Sequence, residues 1–129
     1  MGTFKNFEEI DTWKNSKSLV VKTYEFTKTP YSIKDKILTD QIRRAGISIM
    51  ANIAEGFERD GNKEFIHFLS VAKASCGEFR SLLYLANNLK YLDDNNFKEI
   101  KQASLEISKQ IYKLIQYLKG SDYLGSIFK

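Results

Sequence analysis

The sequence is poor in the residues that break helices or cross-link chains. One proline and seven glycines in 129 residues are too few for a turn-rich β fold, which leaves long helices as the favoured elements. A single cysteine, Cys76, excludes an internal disulfide framework and points to a reducing compartment. A single histidine, His67, means that any His-based metal centre or acid–base pair would rest on one residue. No apolar run approaches the roughly 18 residues needed to cross a bilayer. The opening stretch, Met1-Gly2-Thr3-Phe4-Lys5-Asn6-Phe7, lacks the apolar core of a signal peptide. Together these absences lead us to expect a cytoplasmic protein with no membrane contact.

What is present suits one domain with a real core. Hydrophobic residues make up 43% and charged residues 28%, ordinary proportions for a globular chain. The formal net charge is +4, with 20 Lys and Arg against 16 Asp and Glu. That surplus permits a polyanion partner without establishing one.

Four helical patterns follow one another, with no internal repeat. The first is expected over about residues 9–27, with Ile10, Trp13, Val20, Tyr24 and Thr27 on one side and the Lys17 stem bridging the gap. Pro30 closes it. Ser32-Ile33-Lys34-Asp35 has the form of a capping box, placing the second helix at about residues 33–57. Asn62 offers an N-cap for a third, over about 62–90. Asn96 with Glu99 could cap a fourth, over about 96–119, which Gly120 ends. In that fourth helix Phe97, Ile100, Ser104, Ile107, Ile111, Leu114 and Leu118 recur three and four apart, the spacing of helices packed at a shallow angle. Short joints between long helices predict an all-α, up-down-up-down antiparallel four-helix bundle over 1–120. Residues 121–129 read as a C-terminal tail.

The second helix is apolar on two sides. Leu38, Ile42, Ala45, Ile49, Ile53 and Gly56 form the stripe expected to face the core. Ile47, Met50, Ala54 and Phe57 fall roughly 100–180° away. Either loops or the tail cover this second stripe, or it is a contact between subunits; the second reading predicts a homo-oligomer. Between the two stripes runs a polar strip of Gln41, Arg44, Ser48, Asn52, Glu55 and Arg59, while Arg43 sits near the second apolar side. It could reach the third helix, where Glu78 lies beside Leu82 and Leu85 and a buried carboxylate would need an arginine partner. This strip reads as a polar lock on helix register, or its arginines as phosphate contacts.

Candidate chemistry mostly fails. Gly56-Phe57-Glu58-Arg59-Asp60-Gly61-Asn62-Lys63-Glu64 resembles a phosphate-binding loop only loosely. An extra Asn precedes the lysine, Glu64 stands where Ser or Thr should hold magnesium, and no strand precedes it. Glu64 and His67 match half of a di-iron site, but the second Glu-x-x-His is missing. Cys76 lies on the apolar stripe Phe65, Leu69, Ala72, Cys76, Phe79, Leu83, which makes it a small core residue. Ser48 and Ser75 have no histidine base beside them in sequence. We therefore expect no enzyme, metal or cofactor.

Charge remains. Lys98, Lys101, Lys109, Lys113 and Lys119 fall on one broad flank of the fourth helix with Gln102 and Gln116, and Glu99 and Glu106 lie towards its edge. A solvated lysine face is the plain reading. Repeated around a symmetric ring, the same face would follow a phosphate backbone without reading sequence.

One segment carries a resemblance. Gln41-Ile42-Arg43-Arg44-Ala45-Gly46-Ile47-Ser48-Ile49-Met50-Ala51-Asn52-Ile53-Ala54-Glu55-Gly56 resembles the signature of the bacterial proteins encoded in intervening sequences of 23S ribosomal RNA genes, often labelled ribosomal protein S23. Trp13, Glu64-Phe65, Phe68-Leu69, Ala72, Ser75 and Glu78 support it, over about residues 4–118. Ala74 departs from the family, which has Gly there. The resemblance implies a four-helix bundle assembled as a ring-shaped homopentamer, with no enzymatic activity. It also implies kinship with the accessory variability protein of diversity-generating retroelements, a basic barrel that binds nucleic acid and a reverse transcriptase. Arg43, Arg44, Asn52 and Glu55 are its signature polar positions. The expected function is a non-enzymatic, homo-oligomeric accessory protein binding RNA or DNA through Arg43, Arg44, Lys98, Lys101, Lys109 and Lys113. The alternative is a protein-interaction scaffold.

Overall fold

The computed structural model describes residues 4–120. A 3-10 turn, Phe7–Glu9, precedes α1 (Asp11–Thr27), α2 (Pro30–Lys34), α3 (Lys36–Glu58), α4 (Asn62–Asn88) and α5 (Asp94–Lys119). No strand occurs among the described residues. The expected tail, 121–129, lies outside them.

The four long helices close a ring in which each packs against two others: α1 on α3, α3 on α4, α4 on α5, and α5 back on α1. Side-chain bonds give the directions. Thr27 at the end of α1 meets Arg43 early in α3, Phe57 at the end of α3 packs against Phe65 at the start of α4, and Asn62 at the start of α4 bonds the Leu118 carbonyl at the end of α5. Asn15 bonds Gln110, and Lys22 bonds Glu99 across α1 and α5. Every neighbouring pair is thus antiparallel, an up-down-up-down bundle.

The inner stripes of α3 and α4 lie where their periodicity places them. Ile42, Ile49, Ile53, Leu69, Ala72, Cys76, Phe79 and Leu83 are fully buried. Burial pushes the Cys76 thiol up to about 11 despite the nearby Arg80 and Lys73, so it is neutral packing rather than a nucleophile. In α5 the seam holds, but Ile115 is buried and Leu114 only partly so.

Several local expectations change. The inner side of α1 is Thr12, Ser16, Leu19, Thr23, Phe26 and Thr27, and Trp13, Val20 and Tyr24 are only half-buried. Apolar spacing misplaced this face because buried hydroxyls satisfy themselves on their own helix. Ser32 does not cap the second long helix. Pro30 opens the short α2 at its first position, where its missing N–H costs nothing. Asp35 then caps α3, accepting from the Leu38 N–H at 3.1 Å and from the Tyr91 hydroxyl at 2.8 Å. Asn62 is not the cap of α4; Gly61 is, and the Asn62 side chain reaches α5 instead. The cap of α5 is Asp93, accepting from the Asn96 N–H at 2.7 Å, so the helix starts two residues before Asn96.

Candidate functional site

The expected polar residues separate into tied and free. The Arg43 Nε donates to the Thr27 hydroxyl at 2.8 Å, and its guanidinium lies 4.3 Å from the Tyr24 ring centre. Both contacts hold it in the α1–α3 seam, so it is a clamp between helices. Arg44 and Gln41 are exposed. Ser48 and Ser75 share a hydrogen bond of 2.9 Å across α3 and α4, and the Asn52 amide donates to the Ser48 carbonyl and hydroxyl. These three form the polar lock. Glu55 is exposed and pairs with Arg59 at 3.2 Å. Glu78 is also exposed, so the expectation of a buried carboxylate needing an arginine fails: α4 turns that position outward. Ala74 is exposed as well, and its departure from the family's Gly touches no helix contact.

The second apolar stripe of α3 turns towards α1 and is partly covered. Ile47 is 41% exposed, while Met50, Ala54 and Phe57 are half-buried. Phe57 packs edge-on against Phe65, 5.9 Å between ring centres, and borders a small hollow with Phe4 and Lys5. The larger outward apolar row belongs to α4, where Val71, Leu85 and Leu89 are exposed. Their spacing continues the outer side on which Glu78 sits.

The lysines of α5 divide too. Lys98, Lys109 and Lys113 are exposed. Lys101 is half-buried, its ammonium 5.5 Å from the Tyr84 ring centre and 5.6 Å from that of Phe97. Glu99 is neutralised on the other flank by Lys22 at 2.8 Å, and the Gln102 amide holds the Glu106 carboxylate at 2.9 Å. At 100° per residue Lys101 and Tyr112 share the side of α5 that faces α4, whereas Lys98, Lys109 and Lys113 lie further round on its outward face.

On the side that meets α5, α4 adds residues that the α5 pattern alone did not reveal. Lys73, Gly77, Arg80 and Tyr84 recur at helical spacing on one row. Arg80 reaches the Ser104 hydroxyl at 3.5 Å, and Tyr84 packs edge-on against Phe97, so this row faces α5. Tyr112 of α5 is 53% exposed and Tyr84 is 49% exposed. The row's helical spacing was a readable signal; its adjacency to α5 was not.

Other features carry less. An open cleft of about 870 Å³ at one end of the bundle has Lys22, Lys90, Glu25, Asp93, Asp94 and Glu99 on its walls, a mixed charge set. Among the described residues no three His, Cys, Asp or Glu side chains come together as metal donors. His67 is exposed, edge-on to Phe68. No helix there is long and apolar enough to cross a membrane.

These features define an all-α helical bundle with a polar lock at its α3–α4 seam and one basic, tyrosine-bearing flank. The family model for the 23S rRNA-intervening sequence protein matches residues 8–113, and the chain belongs to that family. A crystal structure of a protein of unknown function from the S23 ribosomal protein family of Bacteroides thetaiotaomicron VPI-5482 superposes with a TM-score of 0.74 at 27% identity, covering 81% of this chain and 97% of that one. None of the curated proteins matches the chain. Neither the family description nor the structural relative's names an enzymatic activity.

Proposed function

We propose that this is a non-enzymatic accessory protein of the cytoplasm that binds RNA or DNA as a homo-oligomer, with a pentamer the state the family resemblance implies. The observation that carries it is the outward face of α5, next to the α4 side, where Lys98, Lys109 and Lys113 stand exposed and no ion pair among the described residues neutralises them. Each such lysine can displace one condensed counterion from a phosphate backbone, giving affinity that falls with salt and does not depend on sequence. Arg44, also exposed, can add to it, whereas Arg43 is held between α1 and α3. Oligomerisation would multiply this flank around a ring. Exposed Ile47 and the outward Val71, Leu85 and Leu89 supply apolar surface for it.

The test is binding of a long RNA and a long duplex DNA over a salt series. Lys109→Glu with Lys113→Glu should weaken both at least about tenfold and lower the salt slope by about two. Absence of binding by the unaltered protein at low salt would end this reading. Light scattering checks the assembly, with Leu85→Asp and Met50→Asp telling which apolar row joins the subunits.

A second reading rests on the same outward α4 row. Exposed Val71, Leu85 and Leu89 would also suit a scaffold that presents itself to a protein partner, a reverse transcriptase being the one that the family resemblance suggests. Recovery of one protein in a pull-down that survives nuclease treatment would favour it.

A further inference from the structure

We propose that the nucleic acid taken by the α4–α5 flank is an unpaired strand, whose bases stack on Tyr112 and Tyr84 while the lysines follow its phosphates. This deepens the nucleic-acid reading above and rests on it.

Three observations converge. First, both rings stand half out of the surface, at 53% and 49% exposure, on a flank of lysines. A tyrosine in that position offers a flat apolar face that a base can cover, and a solvated lysine face does not require one. Second, the two rings lie along one line. Lys101 sits over Tyr84, and Tyr112 is eleven residues further along α5. At 1.5 Å per residue this separates the two stacking points by about 16 Å along the helix. Because α4 and α5 are antiparallel, the same step along α4 from Tyr84 reaches Lys73, which therefore stands at about the level of Tyr112 along the bundle. Third, the floor between them is low. A Cβ built on Gly77 would meet nothing within 4 Å, so the row Lys73, Gly77, Arg80, Tyr84 has a gap midway along the line.

The charges fit this ligand. Lys73 and Lys101 lie along the line, exposed Lys98 and Lys109 flank it on the outward face of α5, and Lys113 lies further round beside Glu106, whose carboxylate the Gln102 amide holds. An unpaired strand presents base faces and phosphates together, which a duplex does not, because its bases are already stacked. Lys101 lies over the Tyr84 ring and Phe97 packs edge-on to it, so Tyr84 offers a base less of its surface than Tyr112 does.

The experiment compares a fluorescently labelled 20-nucleotide oligouridine with a 20-base-pair RNA duplex, by anisotropy at two salt concentrations, using the full chain. The single strand should bind at least about tenfold more tightly than the duplex. Tyr112→Ala should weaken oligouridine binding by about 5- to 150-fold, the range for one lost stacking contact, and leave duplex binding unchanged. Tyr112→Phe should restore it, since the ring and not the hydroxyl does the stacking; unchanged thermal melting of Tyr112→Ala shows that the fold is intact. Tyr84→Ala should act in the same direction. Equal affinity for strand and duplex, or indifference to Tyr112→Ala, overturns this inference and leaves the nucleic-acid reading standing. Binding of neither probe at low salt overturns both.

Discussion

The inner faces of α1 and α5 do the same job with opposite materials. In α5 the buried row is Phe97, Ile100, Ile107, Ile111, Ile115 and Leu118, with Ser104 as its one polar member. In α1 the row is Thr12, Ser16, Thr23 and Thr27, with only Leu19 and Phe26 as large apolar members. The hydroxyls of Ser16, Thr23 and Thr27 each donate to the carbonyl four residues earlier at 2.7 Å, so none of these buried donors is stranded. Thr27 goes further, since its oxygen also accepts from Arg43. Burial therefore follows from the neighbouring helices and from whether a polar group can be satisfied, not from hydrophobicity alone.

Truncation should expose the contrast most strongly. Ile111→Ala, at a fully buried α5 position, is expected to cost about 2–5 kcal/mol in urea unfolding. A loss below about 1 kcal/mol would mean that the α5 row is not the rigid side of the bundle. A close approach of backbone should be next. A Cβ on Gly56 would stand 2.7 Å from the Phe68 Cβ and 3.0 Å from Phe65, so Gly56→Ala should cost about 1–3 kcal/mol. An unchanged melting temperature would show that α3 and α4 can part there freely. On α1, Thr23→Val exchanges a self-satisfied hydroxyl for a methyl and should shift stability by no more than about 1 kcal/mol. A larger loss would reveal that the hydroxyl serves another group.

A further expectation concerns pH. The Cys76 thiol sits in the apolar interior with its pKa raised from the usual 9.0 to about 11 by burial. Above about pH 9 the unfolded chain loses this proton before the folded one does, so stability falls as pH rises towards 11. Iodoacetamide at pH 8 should therefore modify Cys76 only when the chain unfolds. Rapid labelling of the native protein would show that this part of the core opens.

Much of the architecture was readable from spacing. The stripes Leu38 to Gly56 and Phe65 to Leu83, the α5 seam and the all-α class all follow from apolar residues recurring at helical period. The family signature in α3 was readable as well, and the family match spans it. Caps were harder. Ser32, Asn62 and Asn96 each have the right chemistry for an N-cap, yet Asp35, Gly61 and Asp93 take those places, because which residue stops being helical is set by how the joint folds back. The candidate flank was half visible. The α5 lysines could be placed on a wheel, but Lys73, Arg80 and Tyr84 join them only across the α4–α5 contact.

By itself, then, the sequence determined that the chain makes long helices, which side of α3, α4 and α5 is apolar, and that a surplus of four positive charges exists. Periodicity and composition are properties of neighbouring residues, so they need no partner to be read. Tertiary structure alone decided which of those charges stay free. It paired Glu99 with Lys22, tucked Arg43 against Thr27 and Tyr24, turned Glu78 outward, and left Lys98, Lys109 and Lys113 facing water beside two open tyrosines. Neutralisation and exposure depend on groups far apart in the chain meeting within a few ångströms, and only the packed bundle sets those distances.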